Sequence, residues 1–301
     1  SKILFCGYHG WHDWYLSSNL TKSDSLKDHL LPGLEPLGVP YDLSGTVMPF
    51  RFNNCIDFEE VVKKNIKDAA AVILEPARDK IVCKKFLSGL RRLCSENNTV
   101  LIFDEITSAW RNDTSGIHKE LGINPDMAAF GKTISNGIPM AALIGKKNVM
   151  EFAKKTFISS TNWSERLGPA TAVAFLKKHK KLKAGKILIE KGKQIREIWE
   201  KASNENGLKI NISGIYPLSS FKIDTDNWPV VITYFIQEML KKNILASDRC
   251  YSNICQDKKS LKIYSKACQE VFYKISKYNK EGTLQDKLEG PVKQMGFKRL
   301  T

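Results

Sequence analysis

Apolar and polar positions alternate along the chain in blocks that predict strands and helices in turn. Short apolar runs at Ile3–Cys6, Ala69–Leu74, Thr99–Phe103 and Met140–Ile144 have the length and composition of buried strands. Between and after them, apolar residues recur at helical spacing. Residues 86, 87, 90 and 94 mark one face of a helix over 86–97, and further helices are predicted over 149–155, 169–179 and 184–204. Strands alternating with helices predict an α/β domain with a mostly parallel central sheet, whose functional groups gather beyond the carboxyl ends of the strands. Tyr8-His9, Glu75 and Asp104 each follow an apolar run directly and so belong to one sheet edge. The character changes after Asn211. A turn at Gly214–Pro217, a strand at Leu218–Ile223 and helices over 230–241 and 260–277 predict a smaller α+β domain. The expected division is a large α/β domain over 1–210 and a small C-terminal domain over 211–301.

Composition narrows the class. The chain has 301 residues, of which 42% are hydrophobic, enough for a sizeable core. No apolar run reaches the length of a membrane span, and the first residues lack the shape of a signal peptide, so a cytoplasmic protein without a membrane partner is expected. The seven cysteines are odd in number and irregular in spacing, with no CxxC pair, which argues against a disulfide framework and a metal site. The net charge of +15 is spread along the chain. Its densest run, Lys177–Lys186, reads as the exposed end of one helix entering the next, so nucleic acid is not an expected partner.

Two segments carry chemistry. In TVLIFDEITSAWR, residues 99–111, a buried strand delivers two adjacent carboxylates, Asp104 and Glu105. Taken alone, the segment has a structural alternative, in which Asp104 caps the next element and Glu105 pairs with Arg111. In PDMAAFGKTISNGIPMAALIG, residues 125–145, Lys132 stands in a glycine-flanked turn. Gly131-Lys132-Thr133 matches the end of a phosphate-binding P-loop, but Asp126 stands where that motif needs its first glycine. Together, a strand-end aspartate and a lysine 28 residues later suit pyridoxal 5'-phosphate (PLP) chemistry. That chemistry needs a lysine amine to bond the cofactor and an acid to keep its pyridine nitrogen protonated.

With those segments the chain resembles the class III aminotransferases, PLP-dependent enzymes of fold type I, and in particular the glutamate-1-semialdehyde 2,1-aminomutase branch. GYHGWHDWY (7–15) looks like the family's segment with an aromatic residue over the cofactor ring, which implies that role for Tyr8, with His9 beside it. FDEITSAWR resembles the Asp-Glu-Val motif, which implies Asp104 on the pyridine nitrogen and Ile106 against the ring. The lysine motif implies Lys132 as the Schiff-base lysine. The resemblance also implies that Glu75, at the end of its expected strand, lies near the cofactor. ISSTNWSERLGPATA (158–172) is similar to the segment whose threonine reaches the cofactor phosphate of the neighbouring subunit, which implies that role for Thr161 and a homodimer. Used structurally, Thr161 would cap a helix within 160–165. GFKRLT (296–301) matches the family's usual C-terminal segment. The implied fold type I domain is N-terminally incomplete here, because the family's phosphate-gripping Gly-Thr loop has no counterpart. Two further departures are Ala77-Arg78-Asp79-Lys80, where small or amide residues are usual, and Tyr251–Gln256, which lacks a frequent histidine.

The resemblance implies amino-group transfer between an amino donor and a carbonyl acceptor, with PLP as cofactor and small-molecule amines and carbonyl compounds as substrates. The alternatives are an aminomutase working on a single carbon skeleton, a non-catalytic or regulatory module of the same fold, and an inactive fragment.

Overall fold

A computed structural model describes residues 1–22, 25–27, 33–77 and 83–296. The chain divides into two compact units after Leu182, and each is described by itself.

The larger unit is built on a six-stranded sheet. In chain order its elements are β1 (Lys2–Cys6), α1 (Asp13–Leu16), α2 (Ser18–Thr21), β2 (Val47–Pro49), α3 (Cys55–Asp57), β3 (Ala69–Leu74), α4 (Lys84–Glu96) and β4 (Val100–Asp104). They continue with α5 (Ile117–Leu121), β5 (Met127–Phe130), β6 (Ala142–Gly145), α6 (Lys147–Met150) and α7 (Leu167–Leu182). The strand order is β2-β1-β3-β4-β5-β6, with β6 antiparallel to β5 and every other pair parallel. The strands expected at 3–6, 69–74, 99–103 and 140–144 all form, shifted by two residues at most. The helix expected over 149–155 is the short α6 followed by a 3-10 turn, Glu151–Lys155.

Parallel strands are buried on both faces and so need apolar residues at nearly every position. On one face, Leu4, Val72, Leu74, Leu101 and Phe103 pack with Leu87, Leu90 and Cys94 of α4. On the other face, Phe5 packs with Tyr15 and Val47. Beside the lysine turn, Ala128 and Phe130 pack with Trp110 and Ala172 of α7. Buried Asp126 ties the layers together. It accepts from Arg91 Nη1 of α4 at 2.7 Å, from the Leu101 amide of β4 at 2.8 Å and from Lys146 Nζ at 2.7 Å.

The smaller unit contains α8 (Ala184–Glu205), β7 (Ile210–Ser213), β8 (Leu218–Ile223), α9 (Trp228–Leu240), β9 (Arg249–Tyr251) and α10 (Lys258–Glu281). Its antiparallel sheet has the order β7-β8-β9. Its core joins Ile195 and Trp199 of α8, Phe221 of β8, Phe235 of α9 and Phe272 of α10. This packing explains why the contact boundary lies at 182/183 and not at the expected 210/211: the apolar face of α8 is buried in the C-terminal core. Close approach fixes the start of that arrangement, because a Cβ on Gly192 of α8 would lie 2.1 Å from the Tyr216 carbonyl oxygen. The lysine run bridges α7 and α8 as expected, with Lys183 in left-handed backbone at φ +50° and the neighbouring lysines exposed. Among the described residues, no helix is long and apolar enough to cross a membrane, and no group of three or more His, Cys, Asp or Glu residues is placed to hold a metal.

One charge network around buried Glu238 stabilises the smaller unit. Glu238 of α9 accepts from Lys241 Nζ at 2.8 Å and from Lys274 Nζ of α10 at 2.6 Å. Burial by itself would raise its carboxyl, but the hydrogen bonds from Lys241, Lys274 and Gln237 outweigh burial and hold it at about 2, below its ordinary 4.5. A depressed folded-state value means that the stabilisation is complete above the ordinary carboxylate range and is lost as pH falls towards 2. Glu238→Gln is expected to lower the unfolding free energy by about 2 kcal/mol at neutral pH and by almost nothing near the acid end of that window. Urea titrations at several pH values check this, and a mutant penalty independent of pH would contradict it.

Candidate active site

The carboxyl ends of four adjacent strands, β1, β3, β4 and β5, bring most of the expected residues together. After β1 the chain turns at Gly7, whose φ of +107° and close approach both require glycine: a Cβ there would lie 2.8 Å from Glu75 Oε2. That approach lets the Tyr8 amide donate to Glu75 Oε2 at 3.2 Å. Tyr8 is half-buried, edge-on to Trp11 and Tyr15 at 6.0 Å.

His9 is buried and meets two acceptors, Asp104 Oδ2 at 2.9 Å and the Cys6 carbonyl at 3.0 Å. The ring thereby links the Asp104 carboxylate to the end of β1. His9 therefore braces Asp104 from behind. The other Asp104 oxygen accepts from the Ile106 amide at 3.1 Å.

Glu105 points away from Asp104, as alternation along a strand requires. It does not pair with Arg111. Its Oε1 accepts from both the backbone amide of His118 at 3.0 Å and that residue's Nδ1 at 2.9 Å, and Ser108 donates to its Oε2. Arg111 Nε instead donates to the Thr107 carbonyl. Fully buried Glu105 thus folds the loop 106–118 back on itself. The loop presents Ile106 against Gly131 and places the Thr107 hydroxyl 2.8 Å from Lys132 Nζ, which donates to it.

Lys132 opens the 3-10 turn Lys132–Ile134 directly after β5 and is exposed. Its φ is +49°, left-handed backbone that costs a non-glycine residue about 1 kcal/mol and persists only where its surroundings hold it. The hold comes from Ile134, buried with Phe130 and Trp110, and from Thr133 Oγ1, which donates to the Ala109 carbonyl at 3.4 Å.

Tyr8, His9, Glu75, Asp104, Ile106 and Lys132 thus converge through direct contacts or neighbouring strand ends. Thr161 does not join them. It lies on an exposed turn before α7, and no helix starts within 160–165. Residues 78–80 of the departure after Glu75-Pro76, and all but Gly296 of the C-terminal GFKRLT, lie outside the described residues. Sequence reasoning missed Thr107 and His118. The signal for His118 was the second carboxylate: a buried Glu105 needs a donor, and His118 is the nearest histidine downstream.

Residues 4–224 match the family profile described as Aminotransferase class-III. The chain belongs to this family. Among curated relatives, it is 28% identical over 265 residues to a 3-aminobutyryl-CoA aminotransferase of Cloacimonas acidaminovorans, covering 85% of this chain and 60% of that protein. It is 34% identical over 183 residues to a glutamate-1-semialdehyde 2,1-aminomutase of Nitrosopumilus maritimus, covering 58% of this chain and 42% of that one. The chain therefore spans no more than 60% of the length of these relatives. Among solved structures, the FumI protein of Sphingopyxis sp. MTA144 superposes with a TM-score of 0.80 at 20% identity, over 93% of this chain and 66% of that one. An omega-transaminase from Sphaerobacter thermophilus gives 0.74 at 22%, over 92% and 68%. These likenesses establish the fold as that of the PLP-dependent transferases of fold type I, as expected.

The Glu105–His118 pair gives a direct test of how the loop is held. His118→Leu removes one donor from a buried carboxylate and is expected to cost about 2–4 kcal/mol of stability. Urea unfolding measures it, and a cost below about 0.5 kcal/mol would show that Glu105 does not depend on the imidazole.

Proposed function

We propose that this class III aminotransferase chain carries a PLP site that moves an amino group between an amino donor and a carbonyl acceptor. The observation that carries the reading is the placement of Asp104 and Lys132 at the ends of adjacent strands β4 and β5.

The residues present fit the cofactor. Asp104 is only 7% exposed and accepts one hydrogen bond on each oxygen, whereas a carboxylate has about four acceptor positions. It retains capacity for a further donor such as a protonated ring nitrogen. Lys132 supplies an exposed primary amine from the turn after the neighbouring strand. In this reading Asp104, braced by His9, would hold the proton on the pyridine nitrogen. Tyr8 and Ile106 would flank the ring, Glu75 fixes the backbone of Tyr8, and Thr161 would serve the phosphate in a neighbouring subunit. When bound, PLP supplies the electron sink that stabilises negative charge at the donor's amine-bearing carbon. Lys132 Nζ takes the proton from that carbon and returns it as general base and acid, with the Thr107 hydroxyl orienting the amine between transfers.

A second reading, an aminomutase that keeps donor and acceptor on one carbon skeleton, is favoured by the similarity to glutamate-1-semialdehyde aminomutases. It uses the same residues and differs in needing no separate acceptor. A homodimer in the cytoplasm is the proposed setting. Seven free thiols support a reducing compartment. Exposed Phe157, at 99%, and Trp163, at 67%, flank Thr161 and support a self-association surface there.

The test of the site is attachment. The chain is incubated with PLP, reduced with borohydride and mapped by peptide mass. Cofactor concentrated on Lys132, and lost from that peptide in Lys132→Ala, is expected. Label scattered over surface lysines and unchanged by the substitution would refute the site. For the assembly, sedimentation equilibrium is expected to give a dimer that Phe157→Asp with Trp163→Asp shifts to monomer, and a monomeric parent chain would refute it.

A further inference from the structure

A cavity of about 590 Å³ opens on the larger unit, lined by residues of α3, the turn after it and the first turns of α4. None of its lining residues belongs to the Lys132–Asp104 set. Its floor is aromatic. Phe58 and Phe86 meet edge to face at 5.6 Å, and Phe52 stands 5.5 Å from Phe86. Phe58 and Phe86, which line the cavity, are only half-buried, so apolar surface remains that a ligand would remove from water.

The backbone around this floor is irregular in two independent ways. Asn53 adopts φ +57°, and Phe58–Lys63 form a π-helical turn. Both conformations are costly and concentrate where a protein binds or reacts. The electrostatics point to the sign of the ligand. Lys85 and Arg92 line the cavity from α4, seven residues and so two turns apart on one face. Lys85 has no ion-pair partner among the described residues, and Arg92 reaches Glu96 only at 3.8 Å. The carboxylate in the lining, Glu59, is already paired with Lys63 Nζ at 2.7 Å. Among the described residues the rim is therefore net positive over an aromatic floor, and the volume lies in the range of small-molecule sites.

We infer that this cavity binds a small aromatic carboxylate, with its ring on Phe58 and Phe86 and its carboxylate between Lys85 and Arg92. Two thiols, Cys55 and Cys83, line the cavity and report on its occupancy. Cys255, exposed on the smaller unit, provides a reference in the same molecule.

The experiment follows alkylation of the three thiols by iodoacetamide on the full chain, read by peptide mass. The probe is 3-phenylpropionate, with 3-phenylpropanol as its uncharged counterpart. At about 10 mM, 3-phenylpropionate is expected to slow alkylation of Cys55 and Cys83 about fivefold or more and to leave Cys255 unchanged. The alcohol is expected to protect about tenfold more weakly, because it lacks the charge-assisted bonds. Lys85→Glu, a surface change, is expected to remove the protection without altering the Cys255 rate. No protection, equal slowing at Cys255, equal protection by the alcohol, or protection that survives Lys85→Glu would each overturn the assignment.

Discussion

Two successive carboxylates leave the end of β4 on opposite sides, and both are buried. A buried charge needs partners within hydrogen-bonding reach, so each carboxylate recruits a different part of the chain. Asp104 draws in His9 from the loop after β1, and Glu105 draws in His118 from the far end of the following loop. Those two demands organise the sheet edge. The first sets the segment that carries Tyr8, and the second closes the loop that carries Ile106 and Thr107. Lys132 is then met by residues whose positions the Glu105 contacts have already fixed.

The same edge concentrates backbone strain. Trp110 and Lys132 are both left-handed non-glycine residues, at φ +60° and +49°, and both stand beside the Ala128–Phe130 core. Trp110 is held from three directions. Its amide donates to the Ser115 carbonyl, its carbonyl accepts from His179 Nε2 at 2.9 Å, and its ring packs on Phe130 at 5.2 Å. Such conformations survive only when the surroundings over-determine them, and α7 supplies much of that restraint through His179, Phe175 and Ala172. The helix that begins just after the Thr161 turn thus also supports the geometry of the lysine turn.

Much of this was legible in the chain itself, for reasons specific to each element. Ala69–Leu74 is legible to the residue because it is an uninterrupted apolar run, and Leu218–Ile223 because Phe221 and Ile223 alternate with Lys222 after the turn at Gly214–Pro217. β5 was not read as a strand, since Met127–Phe130 carries two alanines and no β-branched residue, and its strand character comes from pairing with β4 and β6. β7 and β9 are short edge strands with polar or exposed positions, where periodicity has little to register. The boundary placed at 210 followed a change in composition, whereas contacts follow the buried face of α8. The strand-end position of Asp104 is legible because an apolar run precedes it, and the turn at Lys132 because glycines flank it. The brace from His9 and the partner of Glu105 were not, because they join residues 95 and 13 positions apart.

Asp104 and Glu105 also differ in how fully the fold satisfies them, although their chemistry is the same and their burial nearly so. Glu105 accepts from Ser108 and twice from His118, which leaves it near saturation in a pocket with no exposure. Its field is spent on the loop it closes. Asp104 accepts once on each oxygen and stays slightly exposed at the strand end. Its two bonds orient the carboxylate without exhausting its lone pairs. Asp104 is thus oriented and still able to accept. Adjacent in sequence, the two acids are separated by the number of donors the fold brings to each.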